Sequence, residues 1–347
     1  MKNNPFSLDF GAEPNLMISR FSEQNRIIDS FTSDNPASHI FFLVGARGSG
    51  KTVLMTSVSH MIREQEGWIH VDLNPDGDML NELAARITRK TKNKYPHLKL
   101  EISVKGVAVS ANPEERYIDI QADLDAILEK LQKKNLRVLI TVDEIHNSKD
   151  IRTFTSYFQH CLREKLPVFV LMTGLFKNLR ALQNNRSQTF LKRAPRIDLD
   201  PLSRIRIARK YEEIFTLKPE EASEMAELTR GYSYGFQILG YLVYEAAKNR
   251  VDEKILDEYK LNLFENSYEK IWEELSAGER TVVSAIARSE PESDIKRIRE
   301  SISMDSNTFS TYKDSLYKYG LLSNRAAYGR VEFSLPFFGE YVTGISY

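Results

Sequence analysis

The chain has almost no cysteine, no excess of either charge and no long apolar run. Each absence removes a class of protein. Cys161 is the single cysteine in 347 residues, so no internal disulfide can brace the fold. Its setting, Tyr157-Phe158-Gln159-His160-Cys161-Leu162, is that of a buried structural thiol. Lysine plus arginine and aspartate plus glutamate stand at 48 each. A net charge of zero gives no general attraction to nucleic acid or acidic membrane. The longest uncharged apolar stretch, near Pro167 to Phe176, is far short of the roughly 20 residues that cross a bilayer. The six histidines show no metal-ligand spacing. Met1-Lys2-Asn3-Asn4-Pro5 lacks a secretory signal's apolar centre, and the expectation is a cytoplasmic protein without a membrane partner. Hydrophobic residues make up 41% and charged residues 28%, as in ordinary globular chains. The length suggests two or three domains.

What is present begins at Gly45-Ala46-Arg47-Gly48-Ser49-Gly50-Lys51-Thr52, which matches G-x-x-x-x-G-K-[ST]. An apolar run, Ile40 to Val44, precedes it and a helix-period segment follows. Strand, glycine-rich turn and helix form the context of a phosphate-binding loop. Gly45, Gly48 and Gly50 allow backbone angles and close approaches closed to other residues. Backbone N–H groups and the next helix's positive dipole end then attract phosphate oxygens. The pattern places Lys51 on the β and γ phosphates and the Thr52 hydroxyl on Mg²⁺. The nucleotide-binding set runs from Gly45 through Val53. The expected ligands are a nucleoside triphosphate and Mg²⁺.

Strand-like and helix-period segments alternate to about residue 200, which predicts an α/β domain with a parallel sheet. Strands are expected at Ile40–Val44, Trp68–Leu73, Arg137–Val142, Val168–Thr173 and Arg196–Leu199. Helices are expected at Lys51–Gln65, Asp78–Lys90, Asp119–Lys134 and Phe154–Glu164, with a small hairpin over Lys99–Ser110. After Leu202 the strand pattern ends. Helical segments fill 203–270, and 276–347 reads as three helices and a hairpin.

Val138-Leu139-Ile140-Thr141-Val142-Asp143-Glu144 is an apolar strand ending in two carboxylates. Asp143 suits the Mg²⁺ shell beside Thr52. Glu144 suits the general base that activates water. The competing reading is a solvated acidic turn. Asp143-Glu144-Ile145-His146 also spells D-E-x-H, but no other helicase motif follows, so His146 packs against or orients Glu144. Thr173 closes another apolar strand; it either bonds the γ-phosphate or attacking water, or caps a strand–helix turn. Arg193 and Arg196 flank the short last strand. Arg193 is the better candidate for stabilising the transferring phosphoryl group, in its own site or a neighbour's; the alternative is a surface arginine closing a helix.

In this order the motifs resemble the AAA+ ATPases, in particular the branch of the origin-recognition initiator ATPases and related bacterial ATPases, over nearly the whole chain. The resemblance implies a P-loop α/β domain (1–202), a helical lid (203–270) and a winged helix (276–347). Pro14 to Arg20 resembles the box bordering the adenine, with Ser19 where glycine is usual, and brings Arg20 into the nucleotide set. Gly45–Thr52 resembles Walker A and Val138–Glu144 resembles Walker B. Thr173 falls at sensor 1 and Arg193 at the arginine finger. Thr229 to Leu239 resembles the lid helix, with Tyr234 in place of the sensor 2 arginine.

Within 276–347, nine basic residues stand against nine acidic ones. Phosphate neutralisation dominates DNA affinity, so this balance is poor for generic DNA binding. Lys313, Lys318, Arg325 and Arg330 nevertheless fall on the third helix and wing, surfaces that face a groove in this motif. The function expected is Mg²⁺-dependent ATP hydrolysis coupled to the lid and winged helix. Two alternatives stay open: a slow nucleotide-gated switch or scaffold with a protein partner or self-assembly, and an ATP-dependent DNA-loading protein.

Overall fold

The structure is a computed structural model that describes residues 4–8, 14–98, 120–291, 293–324 and 326–345. The hairpin expected at Lys99–Ser110 and the expected wing-tip residue Arg325 lie outside these. The chain divides into two compact units. One holds Arg20–Val44 and Leu54–Asp198; the other holds Met1–Ser19, Gly45–Val53 and Leu199–Tyr347.

In the first unit, α1 (Phe21–Thr32) leads to β1 (Ile40–Val44). Then come α2 (Lys51–Glu64, its first turn in the other unit), β2 (Trp68–Leu73), α3 (Met79–Lys94) and α4 (Ile120–Gln132). β3 (Arg137–Val142), α5 (Lys149–Arg163) and β4 (Val168–Gly174) follow. α6 (Phe176–Gln183), a 3₁₀ helix (Arg186–Arg193) and β5 (Arg196–Asp198) complete it. The five strands pair in parallel in the order β2-β3-β4-β1-β5.

Parallel strands covered on both faces are expected to be apolar almost throughout; all five residues of β1 and all seven of β4 are buried. Alternate residues serve opposite faces. Phe42, Val71, Ile140 and Val170 join a core with Leu83 of α3, Leu128 of α4 and Phe154 of α5. On the other face, Phe31 of α1 lies 5.5 Å from the Phe41 ring and 5.3 Å from Phe169. α5 begins at Lys149, five residues before the expected Phe154. The Ser148 side chain accepts from the Ile151 N–H at 3.2 Å, and this cap starts the helix ahead of its apolar stripe.

The second unit is helical. α7 (Arg204–Phe215), α8 (Pro219–Glu227), α9 (Ser233–Glu245) and α10 (Glu253–Leu263) precede a π turn (Phe264–Tyr268) and α11 (Glu269–Glu274). α12 (Ala277–Ser289), α13 (Ile295–Ser301), α14 (Ser306–Lys318) and α15 (Phe338–Ile345) follow. One core runs through it, from Tyr211 and Phe236 to Tyr268, Ile286 and Phe338. Phe6 enters that core, its ring 5.8 Å from Phe215 and 5.6 Å from Phe236.

Two features differ from the sequence expectation. The hairpin strands shrink to one antiparallel pair, Leu322 with Phe333, flanked by Ser323 N–H to Glu332 O (2.8 Å) and Ser334 N–H to Leu321 O (2.9 Å). Pro336 has no N–H with which to extend such a ladder. The chain then turns into α15, whose aromatic and glycine-bearing sequence has low helix propensity. Burial of Phe338 and Val342 in the shared core supplies what propensity does not.

Candidate active site

The glycine-rich loop leaves the carboxyl end of β1. Asp143 and Glu144 leave β3, and Thr173 is the last residue but one of β4. Parallel pairing ends these strands at one edge of the sheet, the edge where α/β folds bind ligands.

Gly48 and Gly50 have φ of 72° and 90°, a left-handed backbone that glycine adopts without steric cost. A side chain at Gly48 would also overlap the Tyr232 hydroxyl. The Lys51 ammonium donates to the carbonyls of Gly45 (3.1 Å) and Ala46 (2.9 Å). Arg47 pairs with Glu274 of α11 at 3.1 Å. The amino end of α9 bonds the loop directly: the Tyr232 hydroxyl to Arg47 O (2.8 Å), the Ser233 hydroxyl to Ser49 O (3.0 Å) and the Tyr234 N–H to Gly48 O (3.1 Å). Thr52 and Val53 continue into α2. Tyr234 lies against this loop, and burial pushes its hydroxyl pKa up to about 12.

The structure brings Asp143, Glu144 and Thr173 together. The buried Thr173 hydroxyl donates to Asp143 Oδ1 and accepts from the Glu144 N–H at 3.2 Å. The same N–H reaches Asp143 Oδ1 at 3.0 Å. Glu144 has φ 53°, uncommon for a residue with a side chain; these bonds hold it there. Its side chain is exposed. The next N–H, of Ile145, is held by Thr173 O at 2.8 Å. His146 Nε2 lies 3.1 Å from Asp76 Oδ1 in the β2–α3 connection, so it ties two loops at the sheet edge.

Arg193 ends the 3₁₀ helix and is exposed. Arg196 is committed elsewhere, to Asp198 at 3.0 Å and to the Phe176 ring at 4.7 Å. Arg20 precedes α1 and lies 3.8 Å from Glu23. Tyr232, Ser233, Ser267 and Glu274 were not among the residues read from sequence as site residues. Only the glycine-led, aromatic start of α9 pointed toward them. Among the described residues no cluster of three or more metal-ligating side chains occurs, and no helix is long and apolar enough to cross a membrane.

A family model described as an AAA domain matches residues 37–191. A second, a domain of unknown function (DUF8462), matches 265–342. No curated protein matches the sequence. Among solved structures, the Walker-type ATPase PABY2304 of Pyrococcus abyssi is similar with a TM-score of 0.66 at 14% identity, covering 94% of this chain and 96% of its own. The ORC2 protein of Aeropyrum pernix, solved in ADPNP–ADP complexes, gives 0.60 at 14%, covering 97% and 96%. Its ADP form gives 0.52 over the same shares. The sheet, the loop and these matches support nucleotide binding: residues 37–191 are an AAA domain with a P-loop, and the chain shares the fold of the Walker-type ATPase and of the ORC2 protein.

Proposed function

We propose that the chain hydrolyses ATP to ADP and phosphate in a Mg²⁺-dependent reaction, with the nucleotide state passed to its helical unit. The observation that carries this reading is the Asp143–Thr173–Glu144 cluster at the sheet edge that also launches the phosphate loop.

The residues divide the work by chemistry. Gly45 to Val53 surround the phosphates, and Lys51 exchanges its two loop carbonyls for phosphate oxygens. Arg20 borders the base. Thr52 and Asp143 would hold Mg²⁺; a hydroxyl and a carboxylate are hard oxygen donors that suit it. When bound, the ion neutralises charge on the β and γ oxygens. Glu144 accepts a proton from the attacking water as the water oxygen bonds to the γ-phosphorus and the bond to the leaving ADP oxygen breaks. Thr173 fixes the main chain that carries both carboxylates. Arg193, exposed at the end of its 3₁₀ helix, is the candidate arginine for the transition state, in its own site or in that of a neighbouring copy.

The helical unit couples through Arg47–Glu274 and the amino end of α9. Its segment 276–347 we read as a winged helix that engages a protein partner, because its charges cancel. DNA contact through Lys313, Lys318 and Arg330 is the alternative use of that surface.

Calorimetric titration with ADP tests the loop. The Lys51→Ala variant is expected to lose binding, because Arg47, the motif's other cation, is paired with Glu274. ADP affinity equal to the parent's would overturn the assignment.

A further inference from the structure

Three successive carbonyls of the phosphate loop are held by one tripeptide, Tyr232-Ser233-Tyr234. Arg47 O accepts from the Tyr232 hydroxyl at 2.8 Å, Gly48 O from the Tyr234 N–H at 3.1 Å, and Ser49 O from the Ser233 hydroxyl at 3.0 Å. A trans peptide is planar, so its N–H points opposite to its carbonyl. Fixing the Arg47 and Ser49 carbonyls on α9 therefore turns the N–H groups of Gly48 and Gly50 to the other side. The intervening Ser49 N–H is held within the loop, on Ala46 O at 3.2 Å.

Tyr232 is itself fixed. Its hydroxyl lies 2.7 Å from the hydroxyl of Ser267 in the π turn. Because Tyr232 donates to Arg47 O, Ser267 must donate to Tyr232. Burial pushes the phenol pKa well up, so the hydroxyl keeps the proton it donates. Glycine at 48 makes room for this contact, since a side chain there would overlap the same hydroxyl.

We propose that Tyr232 and Ser233 are positioning residues for phosphate binding: by holding the loop carbonyls on α9, they keep the loop N–H groups set for the nucleotide before it arrives. The inference rests on the ATPase reading above. A loop already in its binding conformation loses less conformational freedom when the phosphate enters, so the effect should appear in affinity.

The test uses the full chain and three numbers: Kd for ADP, KM for ATP and kcat. Tyr232→Phe keeps the ring, which packs near Tyr234 and Tyr268, and removes only the hydroxyl. Kd and KM are expected to rise together by about tenfold, the effect of losing the one bond that the hydroxyl makes to the loop, at Arg47 O, with kcat at saturation held within about twofold. Ser233→Ala, a milder change, is expected to move Kd and KM the same way by about threefold. A purely structural role would instead lower the melting temperature and the fraction of active molecules, and leave Kd and KM unchanged. Parent-like Kd and KM in Ser233→Ala and in folded Tyr232→Phe would overturn the proposal. If Tyr232→Phe does not fold, Ser233→Ala decides alone. A parent that binds no ADP would remove the ATPase reading itself, an outcome distinct from parent-like variants.

Discussion

Thr173 is engaged on both sides of its oxygen: it donates to Asp143 and accepts from the Glu144 N–H. It is fully buried at the end of β4, so neither bond can be replaced by water without rearrangement. Valine has nearly the same shape and neither bond. Loss of a hydrogen bond to a charged group costs about 1.5–3 kcal/mol; felt at the transition state, this slows the reaction roughly ten- to a hundredfold. Thr173→Val is expected to lower kcat by that range and to leave ADP affinity within about twofold. Steady-state kinetics beside an ADP titration check it, and an unchanged kcat would restrict Thr173 to a structural role. Cys161, by contrast, is buried, and burial pushes its thiol pKa up to about 12, as its apolar neighbours in the sequence suggest.

Among elements, β2 and β3 are joined by more than their ladder. His70 Nε2 lies 2.9 Å from the Thr141 hydroxyl and 3.2 Å from Asp72 Oδ1, and Thr141 also bonds Asp72. Burial pushes the Asp72 pKa upward, but bonds and charge from His70, the Thr141 bond and the Lys90 charge outweigh it and leave the pKa at about 2. A carboxylate held below its ordinary value of 3.8 stabilises the fold above that value, and this contribution is lost as pH falls through the folded pKa. The parent is therefore expected to lose more urea resistance between about pH 4 and pH 2 than Asp72→Asn does. The Asp72 side chain is 61% exposed, so screening keeps the difference modest. Parallel pH profiles would contradict the assignment. The sequence made β1, β2 and β3 legible to the residue because each is a short, largely apolar and β-branched or aromatic segment bounded by polar turns. It did not reveal α15: phenylalanine, tyrosine, valine and glycine read as extended chain, and only packing in the shared core makes them helical.

At the scale of the whole molecule, the phosphate loop groups with the helical unit, while the acidic pair belongs to the sheet unit. The places of the loop after β1 and of the acidic pair after β3 were legible because each is a local motif that follows an apolar strand. The α9 contacts were not, because Tyr232 and Ser267 are far from the loop in sequence and nothing local marks their partners. The loop carbonyls of Arg47, Gly48 and Ser49 are bonded to the amino end of α9, and the Arg47 side chain to α11, all within one unit.

The most direct test is phosphate release from saturating ATP by the parent and by Glu144→Gln, with bound nucleotide measured on the same samples. The glutamine keeps the shape of the side chain but cannot take the proton from water. The variant is expected to bind ATP within about threefold of the parent and to release phosphate at least about a hundredfold more slowly. Phosphate release at the parent's rate by a nucleotide-loaded Glu144→Gln protein would contradict the assignment of Glu144 as the base and, with it, the mechanism given for this ATPase.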